Sequence, residues 1–270
     1  MARQAALALP WALDPEQMER WLAPVRSGSA ILFLDYDGTL TPIVDRPEQA
    51  TLAESTRALV AALAARCAVT IVTGRDVAVA RRLVRLDSVG YAGSHGFDIV
   101  GPPGSGLRKE VAVDCLPTLD AAEALLRRAL EGIGGALVER KRFSVSAHVR
   151  LVAPGDRPRV EAAVAGVASR FPALRRGSGK AVHELRPDRP WDKGAAVLWM
   201  VREMGGDPDA VFYVGDDLTD EDAFTRLDGT GVTMVVTAEN RPTHARLRLA
   251  DPGEVESALG RLLAAMPGSR

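Results

Sequence analysis

Apolar residues recur along this chain in two ways, and the alternation between them outlines most of its architecture. Unbroken apolar runs at 31–34, 68–72, 89–92, 210–214 and 231–236 are short and bounded by charge or glycine, the pattern of strands buried on both faces. Apolar positions three and four apart predict helices at 52–65, 81–86 and 193–204. A terminal helix is predicted at 254–266, with Val255, Leu259, Leu262 and Leu263 on one side. Strand, helix and strand in succession predict a parallel sheet with right-handed crossovers. Asp14 is placed to cap a helix that carries Met18, Trp21 and Leu22 inward, and Asp192 to cap the helix at 193. Thr219 and Asp222 have the spacing of a capping box, and residues 1–13 read as a loosely held tail.

The rhythm changes after His95. Gly101, Pro102, Pro103, Gly104 and Gly106 make a turn-rich stretch, followed by a helical pattern at 119–130 and a strand pattern at 136–140. Residues 143–150 alternate, with Phe143, Val145, Ala147 and Val149 on one face and Ser144, Ser146, His148 and Arg150 on the other. That is an antiparallel strand with one wet side. A helix at 160–171 and strands near Leu174 and at 181–185 repeat the order, and residues 187–190 form a return hinge. The expected fold is therefore α/β: a parallel-sheet core of residues 1–100 and 188–270, interrupted by an α+β insert at 101–187.

Composition narrows the function classes. The chain has 270 residues, 47% hydrophobic and 26% charged, with a formal net charge of −1. No general basic field exists to attract nucleic acid or an anionic membrane, so an anionic substrate would need a local basic pocket. Cys67 and Cys115 are too few for a disulfide framework and lack metal-ligand spacing, which points to a reducing cytoplasm. Pro10 and Asp14 break the apolar N-terminal patch before it reaches the length of a signal-peptide core, and no run approaches the roughly 18 apolar residues of a membrane span. A stand-alone cytoplasmic monomer without nucleic-acid or membrane partners is the expectation.

The run at 31–34 ends in Asp35 and Asp37, two apart, which extended backbone would point to one side, at the end of a parallel strand where ligands bind. One such carboxylate can attack phosphorus and hold the group covalently, while the second protonates the departing oxygen and later deprotonates water. Two anions at one spot call for a hard cation, and Mg²⁺ suits oxygen ligands. Asp216, with Asp217 and Asp220, brings further carboxylates after the strand at 210–214. Thr73, at the end of the strand at 68–72, offers a hydroxyl and a backbone N–H to phosphoryl oxygens. Lys193, in the first turn of its helix and against the helix dipole, offers a compact cation.

DYDGTLTP at 35–42, TGR at 73–75, Lys193 in WDKG and GDDLTDED at 215–222 resemble the four ordered motifs of the haloacid-dehalogenase-like phosphatases. With GSHG at 93–96, E-x-K at 139–141, H-x-R at 148–150 and GSGKAVHELRP at 177–187, the chain more narrowly resembles the trehalose-6-phosphate phosphatases. The resemblance implies a Rossmann-like core with an α+β cap, and Mg²⁺-dependent hydrolysis of trehalose 6-phosphate to trehalose and phosphate. It implies Asp35 as nucleophile, Asp37 as general acid and base, and Thr73 and Lys193 as phosphoryl holders. Mg²⁺ would rest on Asp35, the Asp37 carbonyl and Asp216, supported by Asp217 and Asp220. Arg75 and His95 in the core, and Glu139, Lys141, His148, Arg150, Lys180, Glu184 and Arg186 in the cap, would meet the sugar phosphate, since a sugar demands donors and acceptors in fixed directions. Val149 departs from the pattern, which usually has an aromatic there, and His183 has no clear counterpart. Other readings are a phosphatase for another glycosyl or pseudo-disaccharide phosphate, a phosphomutase, or a non-catalytic sugar-phosphate-binding domain.

Overall fold

In the computed structural model, which describes residues 3–26, 30–44, 46–179 and 181–267, the predicted apolar runs become adjacent strands of one sheet. In chain order the strands are β1 (Gln4–Ala5), β2 (Ile31–Asp35), β3 (Ala68–Val72), β4 (Gly90–Gly93), β5 (Asp98–Val100), β6 (Arg108–Glu110), β7 (Leu137–Lys141), β8 (Ser144–His148), β9 (Leu174–Gly179), β10 (Val182–Pro187), β11 (Val211–Gly215), β12 (Val232–Val236), β13 (Pro242–Thr243) and β14 (Leu247–Leu249). The helices are α1 (Pro15–Arg26), α2 (Glu54–Ala64), α3 (Val77–Val84), α4 (Leu116–Ala129), α5 (Arg157–Arg170), α6 (Lys193–Glu203), α7 (Glu221–Arg226) and α8 (Pro252–Ala265). The chain divides into two units, residues 1–109 with 191–270, and residues 110–190.

The first unit holds an eight-stranded sheet in the order β14-β12-β11-β2-β3-β4-β5-β6, parallel from β14 to β4 and antiparallel at β4-β5. The central strands β2, β3, β11 and β12 are covered on both faces, which is why they are largely apolar, whereas the edge strand β6 is charged. Leu32, Leu34, Val69 and Ile71 pack with α1, α2, α3 and α8, while Phe33, Val72, Val211 and Tyr213 pack with α6 and α7. The two-residue period therefore sends Asp35, two past Phe33, to the α6 side. From β2 the chain moves outward to β3 and β4, and on its return it builds β11, β12 and β14 on the other flank. The order reverses between β2 and β11, the place where open sheets of this kind leave a crevice at the carboxyl ends.

Several local expectations change. The N-terminal stretch is docked: β1 pairs antiparallel with β13, Ala6 and Leu9 are buried, and Trp11 Nε1 donates to Glu254 Oε2 at 2.8 Å. Its small apolar residues find a seat that no periodicity announces. The capping box joins Asp217 and Asp220, not Thr219 and Asp222, because the chain turns two residues earlier. Asp192 does cap α6, accepting from Ala195 N at 2.7 Å, an arrangement that stabilises by about 1 kcal/mol. The turn-rich stretch at 101–106 lies between β5 and β6, which extend the sheet with strands too short to show a period. Lys109 and Trp191, the residues on either side of 110–190, meet directly: the Lys109 ammonium lies 5.4 Å from the Trp191 ring centre and 4.8 Å from that of Trp199.

The second unit is a four-stranded antiparallel sheet, order β7-β8-β10-β9. Val138, Val145, Ala147 and Leu185 pack against Leu119, Leu126, Val160 and Val164 of α4 and α5. The strand period leaves Glu139, Lys141, Ser144, Ser146, His148, Glu184 and Arg186 on the other face. Among the described residues, no helix is long and apolar enough to cross a membrane.

Candidate active site

At the carboxyl end of β2, Asp35 is 4% exposed and accepts a hydrogen bond from Lys193 Nζ at 2.7 Å. Lys193, in the first turn of α6 and 2% exposed, also donates to Asp220 Oδ1 at 2.8 Å. Tyr213 OH, from β11, donates to that same oxygen at 2.6 Å, and the Asp217 N–H takes Oδ2 at 2.9 Å. Asp220 thus has both oxygens committed to protein donors. Burial opposes the Lys193 charge, but Asp220 and Asp35 together outweigh it and hold its pKa above the ordinary lysine value. A lysine at a helix start, adverse to the dipole, is fixed here by two carboxylates.

The Asp37 carboxylate has a different partner from Asp35. β2 ends at Asp35, so the two-residue period stops there, and Asp37 accepts two hydrogen bonds from Arg75, from Nε at 2.7 Å and from a terminal guanidinium nitrogen at 2.6 Å. This fork fixes the carboxylate in one plane while leaving the side chain 38% exposed. Thr73 is buried; its N–H donates to Ala92 O at 2.9 Å, so that donor is already used, and its hydroxyl oxygen accepts from Arg75 N at 3.2 Å. His95, in the left-handed region at φ 59°, donates its backbone N–H to Thr73 O at 2.9 Å.

Asp35, Asp216 and Asp220 offer carboxylate oxygens that all lie within 4.8 Å of one another. Three carboxylates against the single Lys193 ammonium make an oxygen-rich, negatively charged cluster, and such a donor set fits a hard divalent cation. Gly38, at φ +85°, closes the turn after β2, and any side chain there would run into the Asp216 carboxylate. Asp217 faces elsewhere: its side chain caps the turn by accepting from the Asp220 N–H.

On the polar face of the second unit, Glu184 is the hub. It is 8% exposed and accepts from Ser144 Oγ at 2.8 Å and Ser146 Oγ at 3.3 Å, with Lys141 Nζ 3.7 Å and Arg186 Nε 3.5 Å away. Glu139 and His148 pair at 2.8 Å, and that hydrogen bond, partly offset by burial, holds the Glu139 carboxyl below its usual pKa. Arg150 does not share this face. β8 ends at His148, and Arg150 sits exposed in the following turn. Lys180 lies outside the described residues. Arg175, opposite Arg186 in the β9–β10 register, is a member of the face that spacing within single strands does not single out, whereas Ser144 and Ser146 lie where the alternation places them. Tyr213 escapes notice for a different reason, since in an apolar strand its hydroxyl reads as packing.

The sequence model of the trehalose-phosphatase family matches residues 33–253 of this chain. A trehalose-phosphate phosphatase of Mycobacterium marinum is 41% identical over 237 residues, covering 86% of this chain and 60% of that protein. An uncharacterized glycosyl hydrolase of Mycobacterium tuberculosis is 43% identical over 239 residues, covering 86% of this chain and 18% of that protein. The chain thus spans less than two thirds of these relatives. Among solved structures, the C-terminal domain of the C. albicans trehalose-6-phosphate phosphatase superposes with a TM-score of 0.79 at 25% identity, covering 95% of this chain and 98% of that one. A trehalose-6-phosphate phosphatase related protein gives a TM-score of 0.73 at 28% identity, over 87% and 97%.

Proposed function

Because the chain belongs to the trehalose-phosphatase family, we propose that it hydrolyses trehalose 6-phosphate to trehalose and phosphate through an aspartyl-phosphate on Asp35. The observation that carries this reading is the pairing of two differently held carboxylates: Asp35 buried against Lys193, and Asp37 partly exposed on Arg75. An Asp35 oxygen attacks phosphorus, the bond from phosphorus to the sugar 6-oxygen breaks, and Asp37 delivers a proton to that oxygen as it leaves. Asp37, now a carboxylate, takes a proton from a water, which attacks phosphorus, breaks its bond to Asp35 and releases phosphate, restoring the Asp35 carboxylate and the protonated Asp37. Lys193 and the Thr73 hydroxyl hold phosphoryl oxygens, and Arg75 keeps Asp37 oriented.

Asp35, Asp216 and the Asp37 carbonyl would hold Mg²⁺, which supplies charge neutralisation where one anion approaches another. Asp220, with both oxygens occupied, is assigned instead to positioning Lys193. Sugar recognition is assigned to the Glu184 face, where acceptors and donors are fixed by the strand register. Purified protein with Mg²⁺ should release phosphate from trehalose 6-phosphate faster than from glucose 6-phosphate or sucrose 6-phosphate. The reverse order would overturn the substrate assignment.

A further inference from the structure

Arg241 lies outside every motif that marks the site, in the segment leading into β13, yet its guanidinium reaches the acidic loop. One terminal nitrogen donates to the main-chain carbonyl of Asp216 at 2.9 Å, and the other to Glu221 Oε1 at 2.7 Å. Glu221 is 3% exposed, and its second oxygen accepts from His244 N at 2.8 Å. The carboxylate is thus engaged at both oxygens and ties the first residue of α7 to the chain around β13. Arg241 is itself held from behind, since Ala6 N donates to its carbonyl at 2.8 Å beside the β1–β13 pairing. A buried ion pair is a costly way to gain stability, because desolvation offsets much of the attraction. A planar fork bonded simultaneously to a loop carbonyl and a helix-start carboxylate does, however, fix the loop's direction.

We infer that Arg241 is a positioning residue, which acts through the Asp216 carbonyl and Glu221 to hold the Asp216 carboxylate in the cation-binding arrangement. The inference rests on the metal reading of the proposed function and extends it to a residue 25 positions away in sequence. Its consequence is specific: loss of the fork should weaken cation binding more than it weakens folding or substrate capture.

The test uses the full chain and Mn²⁺ as probe, with free ion measured by electron paramagnetic resonance in the absence of substrate. Arg241→Met should weaken Mn²⁺ binding at least about tenfold and raise the Mg²⁺ concentration for half-maximal turnover to match, while KM at saturating Mg²⁺ moves less than about twofold. Arg241→Lys keeps the charge but not the fork, and should fall between. A folded Arg241→Met protein with parental Mn²⁺ affinity would overturn the inference and leave the proposed function standing. A parent that binds no Mn²⁺ would overturn both. If Arg241→Met fails to fold, Arg241→Lys decides, with parental affinity counting against the role and a weakened, still saturable Mn²⁺ isotherm counting for it.

Discussion

Lys193 Nζ and Asp35 Oδ1 stand 2.7 Å apart, both side chains almost wholly removed from solvent, at the junction of a strand end and a helix start. The pair joins two sequence segments 158 residues apart and places a fixed cation beside the proposed nucleophile. Asp35→Asn keeps the shape and an acceptor for Lys193 but removes the attacking charge. It should lower kcat by about 10⁴-fold or more while leaving the circular dichroism spectrum unchanged. Substantial residual turnover would exclude the covalent route.

Lys193→Met tests the other partner. It leaves Asp35 and Asp220 buried without their cation, a change that costs about 3–5 kcal/mol when one side of a buried pair is removed. The urea midpoint should fall accordingly. An unchanged midpoint would mean that the two carboxylates are not held by this ammonium.

Gly38→Ala and Gly104→Ala form a matched pair. Both positions have left-handed backbone, at φ +85° and +80°, so each substitution should cost about 1–2 kcal/mol in strain. Only at Gly38 does the added methyl run into the Asp216 carboxylate, whereas Gly104 faces open space. Gly38→Ala should therefore lose activity at least about tenfold, and Gly104→Ala should retain it. Equal activities in thermally folded protein would show that the turn and the acidic loop are not in contact.

Glu184→Gln removes the charge that Lys141 and Arg186 approach while preserving the shape of the hub. The proposed role in sugar recognition predicts a fall in kcat/KM of about 10- to 100-fold for trehalose 6-phosphate, and less than about threefold for p-nitrophenyl phosphate. Arg150→Ala, in its exposed turn, should affect both substrates little. Equal losses on the two substrates would argue against a sugar contact at Glu184.

Burial pushes the Cys67 thiol up to about 12 from an ordinary 9.0, and burial also raises Cys115 despite the opposing pull of Arg189. Both thiols are thus less ionised in the folded chain than in the unfolded one, so Ellman's reagent should react slowly with native protein and with both cysteines in denaturant. The linkage has a definite sign. As pH rises past 9.0 the unfolded thiols lose protons while the folded Cys67 does not, so the folded state loses stability on the alkaline side. A rapid native reaction at pH 8 would contradict the burial of Cys115 and the partial burial of Cys67.

Much of the first unit was legible because strands buried on both faces have to be apolar throughout, and an apolar run that stops at Asp35 or before Asp216 marks its own end. Lys193 stood out through its adverse position at a helix start. What stayed hidden depends on partners remote in sequence. The Arg75 fork that holds Asp37 spans 38 residues and follows no period. Arg150 misled because alternation in sequence continues past the end of β8 at His148, into a turn. Tyr213 and Arg241 act through a single polar atom or group each, and neither residue type is unusual where it stands. The docked N-terminal stretch was misread because Ala6, Leu9 and Ala12 are too few and irregularly spaced to make a pattern, although Ala6 and Leu9 seat in one core cluster and Ala12 in another.

The meeting of Lys109 with Trp191 and Trp199 bears on how such a chain is inherited and altered. The two points at which the chain leaves and rejoins the first unit are fastened to each other by residues belonging to that unit. For the larger unit, then, residues 110–190 amount to a loop whose ends are already closed. The entropic penalty of a loop rises only with the logarithm of its length. Exchanging this segment for a relative's of similar length therefore changes the closure penalty by less than about 0.6 kcal/mol, while a Gly-Ser link about a tenth as long changes it by about 2 kcal/mol, the same order as the cation–aromatic contacts that form the clasp. Such a join makes residues 110–190 an exchangeable cassette, set between two points that the larger unit already holds together.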